Sequence, residues 1–97
     1  MYDVLLVEDT EEGQIAVKRA LSYFPINLVV KSTVSEAKDY IKSKEFSRLQ
    51  LAILDLSLPD GEGISILEML RKSGNPDIPV FLLTSCMELD SKVTPLI

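Results

Sequence analysis

Three places in this chain set polar groups directly after purely apolar runs. Val4-Leu5-Leu6-Val7 ends in Glu8-Asp9, Leu51-Ala52-Ile53-Leu54 ends in Asp55, and Val80-Phe81-Leu82-Leu83 ends in Thr84-Ser85. Each run is short and unbroken, as a strand buried on both faces would be. If the strands lie parallel in one sheet, their ends share an edge, and the carboxylates and hydroxyls gather in one small space. Carboxylates that close repel one another, and some would hold protons if left alone. A divalent cation removes the conflict. Hard oxygen donors, with no histidine in the chain to compete, favour Mg²⁺ or a similar ion. Any one of these residues could simply mark where a strand surfaces. Three sets, each directly after its strand, point to a site.

The segments between these runs supply the elements that must position them. Ile15, Ala16, Ala20, Leu21 and Phe24 recur at helical spacing over residues near 11–24, and Pro25 stops that helix. Leu28-Val29-Val30 reads as a further strand. Thr33-Val34-Ser35-Glu36 fits a capping box that opens a second helix, with Ala37, Tyr40 and Ile41 on one face. Pro59-Asp60-Gly61 breaks the chain, a third helix runs from about 63 to 72, and Gly74-Asn75-Pro76 closes it. Helix or loop follows residue 85. The order βαβαβαβα predicts an α/β fold, a doubly wound parallel sheet with helices on both faces. Right-handed crossovers place all strand ends along one edge, and sites in such sheets form beyond the carboxyl ends of the strands.

Composition narrows the choices. With 97 residues the chain is one small domain, short enough for its stability to be marginal. Ten basic residues against fifteen acidic leave a formal charge of −5 with no basic cluster, which argues against direct contact with nucleic acid or an anionic membrane. The lack of histidine removes histidine metal sites and Ser-His or Cys-His catalysis within the chain. Cys86 stands alone and reads as a small packing residue in a reducing, cytoplasmic setting. No apolar run approaches the ~20 residues that span a bilayer, and the N-terminus lacks a signal-peptide pattern.

Two other phosphate-handling designs fit less well. A flavodoxin-like loop cradles a bare anion, but Glu8-Asp9-Thr10-Glu11-Glu12 would repel one. A phosphotransferase of the haloacid-dehalogenase type also sets a nucleophilic Asp after a strand, but wants a second Asp two residues on as general acid. Ser57 occupies that place, so independent turnover chemistry loses its acid.

Leu5-Leu6-Val7-Glu8-Asp9, Leu54-Asp55-Leu56-Ser57-Leu58-Pro59-Asp60-Gly61-Glu62-Gly63 and Leu82-Leu83-Thr84-Ser85 together resemble the receiver domain of two-component response regulators, the CheY-like fold. The resemblance runs in register along the whole chain. It implies that Asp55 accepts a phosphoryl group from a phosphohistidine on a sensor histidine kinase or phosphotransfer protein, and that the domain acts as a signalling switch. It implies a metal site made by Asp9, Glu8, Asp55 and the backbone carbonyl of Ser57. It assigns Thr84 to a phosphoryl oxygen, and Pro59 and Gly63 to shaping the loop beside the acceptor. Beyond self-phosphorylation and slow self-dephosphorylation, no enzyme activity is expected.

The family's fifth strand, with its lysine and switch aromatic, and its fifth helix are not found in this sequence. Lys92 follows Thr84 too closely to take the lysine's role. Residues 1–97 therefore read as a receiver domain incomplete at its C-terminus, with strand order 2-1-3-4. The apolar fourth strand would then form a bare edge, which invites pairing. A homodimer or swapped oligomer through the fourth strand and fourth helix is the expectation. The alternative function is a receiver-like interaction or dimerisation module that no longer switches by phosphorylation.

Overall fold

The strands form where apolar runs can be covered on both sides. In the computed structural model, which describes residues 2–74 and 76–83, β1 (Tyr2–Val7) is buried at every residue after its first. β2 (Ile26–Lys31), β3 (Leu49–Asp55) and β6 (Val80–Leu83) join it in one parallel sheet of order β2-β1-β3-β6. With β6 as the fourth long strand, this is the order 2-1-3-4 anticipated from the sequence. The expectations for Thr84, Ser85, Cys86, Lys92 and the segment around them lie outside the described residues.

Alternation along the strands splits the core in two. Leu5, Val7, Ala52, Leu54, Val80 and Leu82 face α2 (Val34–Ile41) and α3 (Gly63–Arg71), meeting Ala37, Ile41, Ile66 and Leu70. Val4, Leu6 and Ile53 face the other way, toward Val17 and Leu21. Full burial of one such Leu or Ile contributes about 1.5–3 kcal/mol, and the first group is much the larger. α1 (Glu11–Ala20) lies over the smaller group and has no fully buried residue of its own. Phe81 pairs with Ile53 on that same face and stays 44% exposed.

Local sequence explains the helix ends. Thr10 caps α1 by accepting from the Gly13 amide at 3.0 Å. The helix stops at Ala20, short of the expected residue 24. There the Ser22 hydroxyl takes the Arg19 carbonyl at 2.9 Å, and the Phe24 amide turns back to Leu21. Thr33 caps α2 through the Glu36 amide at 3.1 Å, as the capping box requires. Glu36 reciprocates one residue earlier than the motif predicts, accepting from the Ser32 amide at 2.8 Å. Two features had no clear sequence signal. One is a 3₁₀ turn at Lys44–Arg48 that buries Phe46. The other is a small antiparallel hairpin in which β4 (Ser57–Leu58) pairs with β5 (Gly61–Glu62).

The register sets the site. Val7 lies level with Leu54, and Asp55 lies level with Leu83. Glu8-Asp9 and Asp55 therefore leave the sheet side by side at its carboxyl edge.

Candidate functional site

Glu8 continues the β1 ladder for one more bond, its amide donating to the Lys31 carbonyl at 3.0 Å. The side chain is buried and bends back to the start of α1. Its Oε2 accepts from the Thr10 amide at 3.0 Å and from the Thr10 hydroxyl at 2.8 Å. That hydroxyl in turn accepts from Gly13, so one threonine caps the helix and holds the acid. The positive end of the helix favours a carboxylate there. Gln14 fixes the backbone behind it, donating from Nε2 to the Glu8 carbonyl at 2.7 Å and to Ser32 Oγ at 3.2 Å. Asp9, next in the chain, is exposed to solvent.

Asp55 ends β3 and is only 2% exposed. Its Oδ1 accepts from the Ser57 amide at 3.1 Å. The following residue is tied on both sides, Leu56 N–H to the Leu83 carbonyl at 3.0 Å and Gly63 N–H to the Leu56 carbonyl at 3.1 Å. Gly63 packs so closely that a Cβ built on it would lie 2.0 Å from the Asp55 carbonyl oxygen. Any side chain there would push β3 and the start of α3 apart.

One oxygen from each of Glu8, Asp9 and Asp55 lies within 4.8 Å of the others. Burial, first, pushes the Asp55 carboxyl above its ordinary range; the Ser57 amide opposes this, and the charges of Glu8 and Asp9 reinforce it. Among the described residues no Lys or Arg forms an ion pair with any of the three; the ion pair found joins Arg48 to Asp3 at the other end of the sheet. Three hard oxygen donors with surplus negative charge, two of them buried, fit a divalent cation well.

The structure brings Glu8, Asp9 and Asp55 together as the sequence suggested. Ser57 adjoins them through its amide, Pro59 sits exposed in the hairpin turn, and Gly63 lies against the Asp55 backbone. Thr84 lies outside the described residues. Sequence reasoning missed Thr10 and Gln14, which hold Glu8. Thr10 carried a usable signal, a hydroxyl directly before the first helical residue.

The profile of the family described as the response regulator receiver domain matches residues 4–96. The chain belongs to that family. This receiver domain is 35% identical over 94 residues to the swarming motility regulation protein RssB of Serratia marcescens, which covers 97% of this chain and 41% of RssB. It is 37% identical over 93 residues to the transcriptional regulatory protein PmrA of Pectobacterium parmentieri, covering 96% of this chain and 40% of PmrA. The chain thus spans about two-fifths of the length of these curated relatives. Among solved structures it is similar to the phosphorylated cyanobacterial phytochrome response regulator RcpA, with a TM-score of 0.78, 27% identity, and coverage of 93% of this chain and 69% of that one. It is also similar to the Mn²⁺-bound form of the response regulator Rcp1, with a TM-score of 0.74, 28% identity, and coverage of 94% and 70%. Receiver domains of this kind are signalling domains of two-component systems, and they work with histidine kinases or phosphotransfer proteins. No helix of the described residues is long and apolar enough to cross a membrane.

Proposed function

We propose that this receiver domain accepts a phosphoryl group on Asp55 from a phosphohistidine of a cytoplasmic sensor kinase or phosphotransfer protein, in a Mg²⁺-dependent reaction that works as a signalling switch. The observation that carries this reading is the buried Asp55 carboxylate with the Glu8 and Asp9 oxygens within 4.8 Å and no protein cation among the described residues to balance them. The phosphorylated state of RcpA and the Mn²⁺-bound state of Rcp1 support it by similarity.

Each residue then has a task. Asp9, Asp55 and the Ser57 backbone carbonyl would hold the cation, with Glu8 beside them. When bound, Mg²⁺ neutralises the carboxylates and the charge that develops on the phosphoryl oxygens. The Ser57 amide holds Asp55 Oδ1 and so limits rotation of the nucleophile. A carboxylate oxygen of Asp55 attacks phosphorus, and the bond from phosphorus to the donor's imidazole nitrogen breaks, its electron pair leaving with the nitrogen. Thr84 would donate to a phosphoryl oxygen. Pro59 and Gly63 shape the loop beside the acceptor. The new acyl phosphate changes the local charge by one to two units, enough to bias a two-state loop.

Incubation with Mg²⁺ and acetyl phosphate, read by intact mass, tests this. Wild type should gain the mass of one phosphoryl group, and Asp55→Asn should gain none. An equal gain in both would overturn it.

A second reading adds self-association. β6 is the outer strand of the described sheet, and Phe81 on it is 44% exposed. Pairing of two copies through this strand would cover it. Light scattering after size exclusion checks the point, and a stable monomer at micromolar concentration counts against it.

A further inference from the structure

We infer that Asp60 is a positioning residue for the acceptor site, hooking the loop that follows Asp55 onto the start of α2. The inference rests on the phosphoacceptor reading given above and extends it to a residue outside the acidic pocket.

The geometry starts at the hairpin. Residues 57–62 leave the site as β4, turn at Pro59-Asp60, and return as β5. Two residues per arm make a weak ladder, since an isolated hairpin is marginal even when longer. Something else must hold the tip. Asp60 does so with both oxygens, Oδ1 accepting from the Val34 amide at 2.7 Å and Oδ2 from the Ser35 amide at 3.0 Å. These are two of the amides a helix start leaves without partners. Thr33 serves the Glu36 amide, so the two caps divide the first turn of α2 between them.

Two further observations agree. Gly61 has φ +157°, a conformation that side-chain-bearing residues rarely adopt, and a Cβ added there would come 3.3 Å from Val34 Cγ2. The tip is therefore seated on α2 by packing as well as by hydrogen bonds. The Asp60 carboxyl is held below its usual range, chiefly by the Val34 amide and then by the Ser35 amide, although it lies at the surface.

The connection to the chemistry is short. Ser57, the first residue of the hairpin, fixes Asp55 Oδ1 through its amide, and Gly63, just after the last, is bonded to Leu56. With its tip released, the hairpin could swing about these two ends, and both bear on Asp55. A preorganised site loses affinity when an outer hydrogen-bonding partner is removed.

The test compares two caps on one helix. Asp60→Ala removes the cap that reaches from the loop. Thr33→Ala removes the cap that belongs to α2 alone, with a comparable loss of helix stability. Mg²⁺ affinity is measured by titration. Asp60→Ala should weaken it about tenfold, at the low end for loss of an outer partner, and Asp60→Asn, which keeps one acceptor, should recover part of this. Thr33→Ala should change it by less than about twofold, as for an uncoupled site. Equal weakening by both alanine variants, or by neither, overturns the proposal. Amide exchange without metal gives a separate readout. Asp60→Ala should speed exchange at Ser57 and Gly63, and Thr33→Ala should not. If wild type binds no Mg²⁺, the phosphoacceptor reading fails, while the exchange pattern still decides whether Asp60 holds the loop; unchanged exchange at Ser57 and Gly63 overturns it.

Discussion

At the amino end of the sheet, Asp3 is 7% exposed; Asn27 Nδ2 donates to its Oδ1 at 3.3 Å, and Arg48 Nε lies 3.8 Å from its Oδ2. At the carboxyl end, Glu8 and Asp55 are buried to a similar degree beside a third carboxylate, and among the described residues no Lys or Arg forms an ion pair with any of the three. A buried acid that the fold balances needs no explanation beyond structure. A cluster of acids that the fold leaves unbalanced raises the energy of the apo protein and asks for something from outside. One sheet thus shows both treatments of buried charge, about five residues apart along β1.

The largest expected effect comes from supplying the missing charge. Free Mg²⁺ at about 100 times its Kd should add about 2.7 kcal/mol of unfolding free energy. Urea denaturation with and without Mg²⁺ measures it. Asp3→Asn should keep the full gain, while Asp9→Asn should lose most of it. If Mg²⁺ stabilised all three proteins equally, it would be binding somewhere other than the acidic pocket.

Without metal, the two ends should answer substitution with opposite signs. Asp55→Asn removes one of the mutually repelling charges and leaves a side chain of the same shape. It should stabilise the apo protein by about 1–2 kcal/mol, the scale of one partly screened like-charge contact. Asp3→Asn removes a paired acid and should destabilise by about 1 kcal/mol. Chemical denaturation of both in EDTA decides the matter. The same sign for both would erase the distinction.

Acid should then narrow the gap at the carboxyl end. The folded-state pKa of Asp55 lies above the ordinary 3.8, chiefly through burial. A carboxyl raised in this way binds its proton more tightly folded than unfolded. Its stabilising contribution is complete below the unfolded pKa and is lost as pH rises through the folded one. Wild type should therefore approach Asp55→Asn in stability as pH falls through the raised value. The difference between the two should be nearly closed below about pH 3.8. Measuring that difference cancels the titration of every other acid. A gap that widened on acidification would mean that Asp55 is stabilised as the anion.

The carboxyl end was legible in sequence because its signals are local. An apolar run followed at once by Glu8-Asp9 or Asp55 needs only the parallel topology to bring the acids together, and alternation of strands with helices supplied that topology. The amino end was not legible. Asp3, Asn27 and Arg48 come from three separate elements, and nothing near any of them announces the others. The hook at Asp60 failed to show for the same reason. Pro59-Asp60-Gly61 reads as a turn, but its bonds go to Val34 and Ser35, far back in the chain. The length of α1 was misjudged because Phe24 kept the helical spacing. The Ser22 hydroxyl competes for a last-turn carbonyl and ends the helix sooner.

The smallest effect probes whether the amino end is balanced by Arg48 or by position alone. The Arg48 side chain is 71% exposed, and 3.8 Å is long for a direct bond. Exposed ion pairs of this kind contribute about 0–1 kcal/mol and weaken with salt. Arg48→Ala should therefore cost about 0.5 kcal/mol at low ionic strength and less in high salt, with Mg²⁺ affinity unchanged. Asn27→Ala combined with Arg48→Ala should cost more than the sum of the two single changes, because Asp3 would then be buried with neither partner. If the double variant costs no more than the sum, and Asp3→Asn destabilises it as much as it destabilises wild type, neither neighbour is balancing the acid. The difference between the two ends would then lie in the crowding of Glu8, Asp9 and Asp55 rather than in what their neighbours provide.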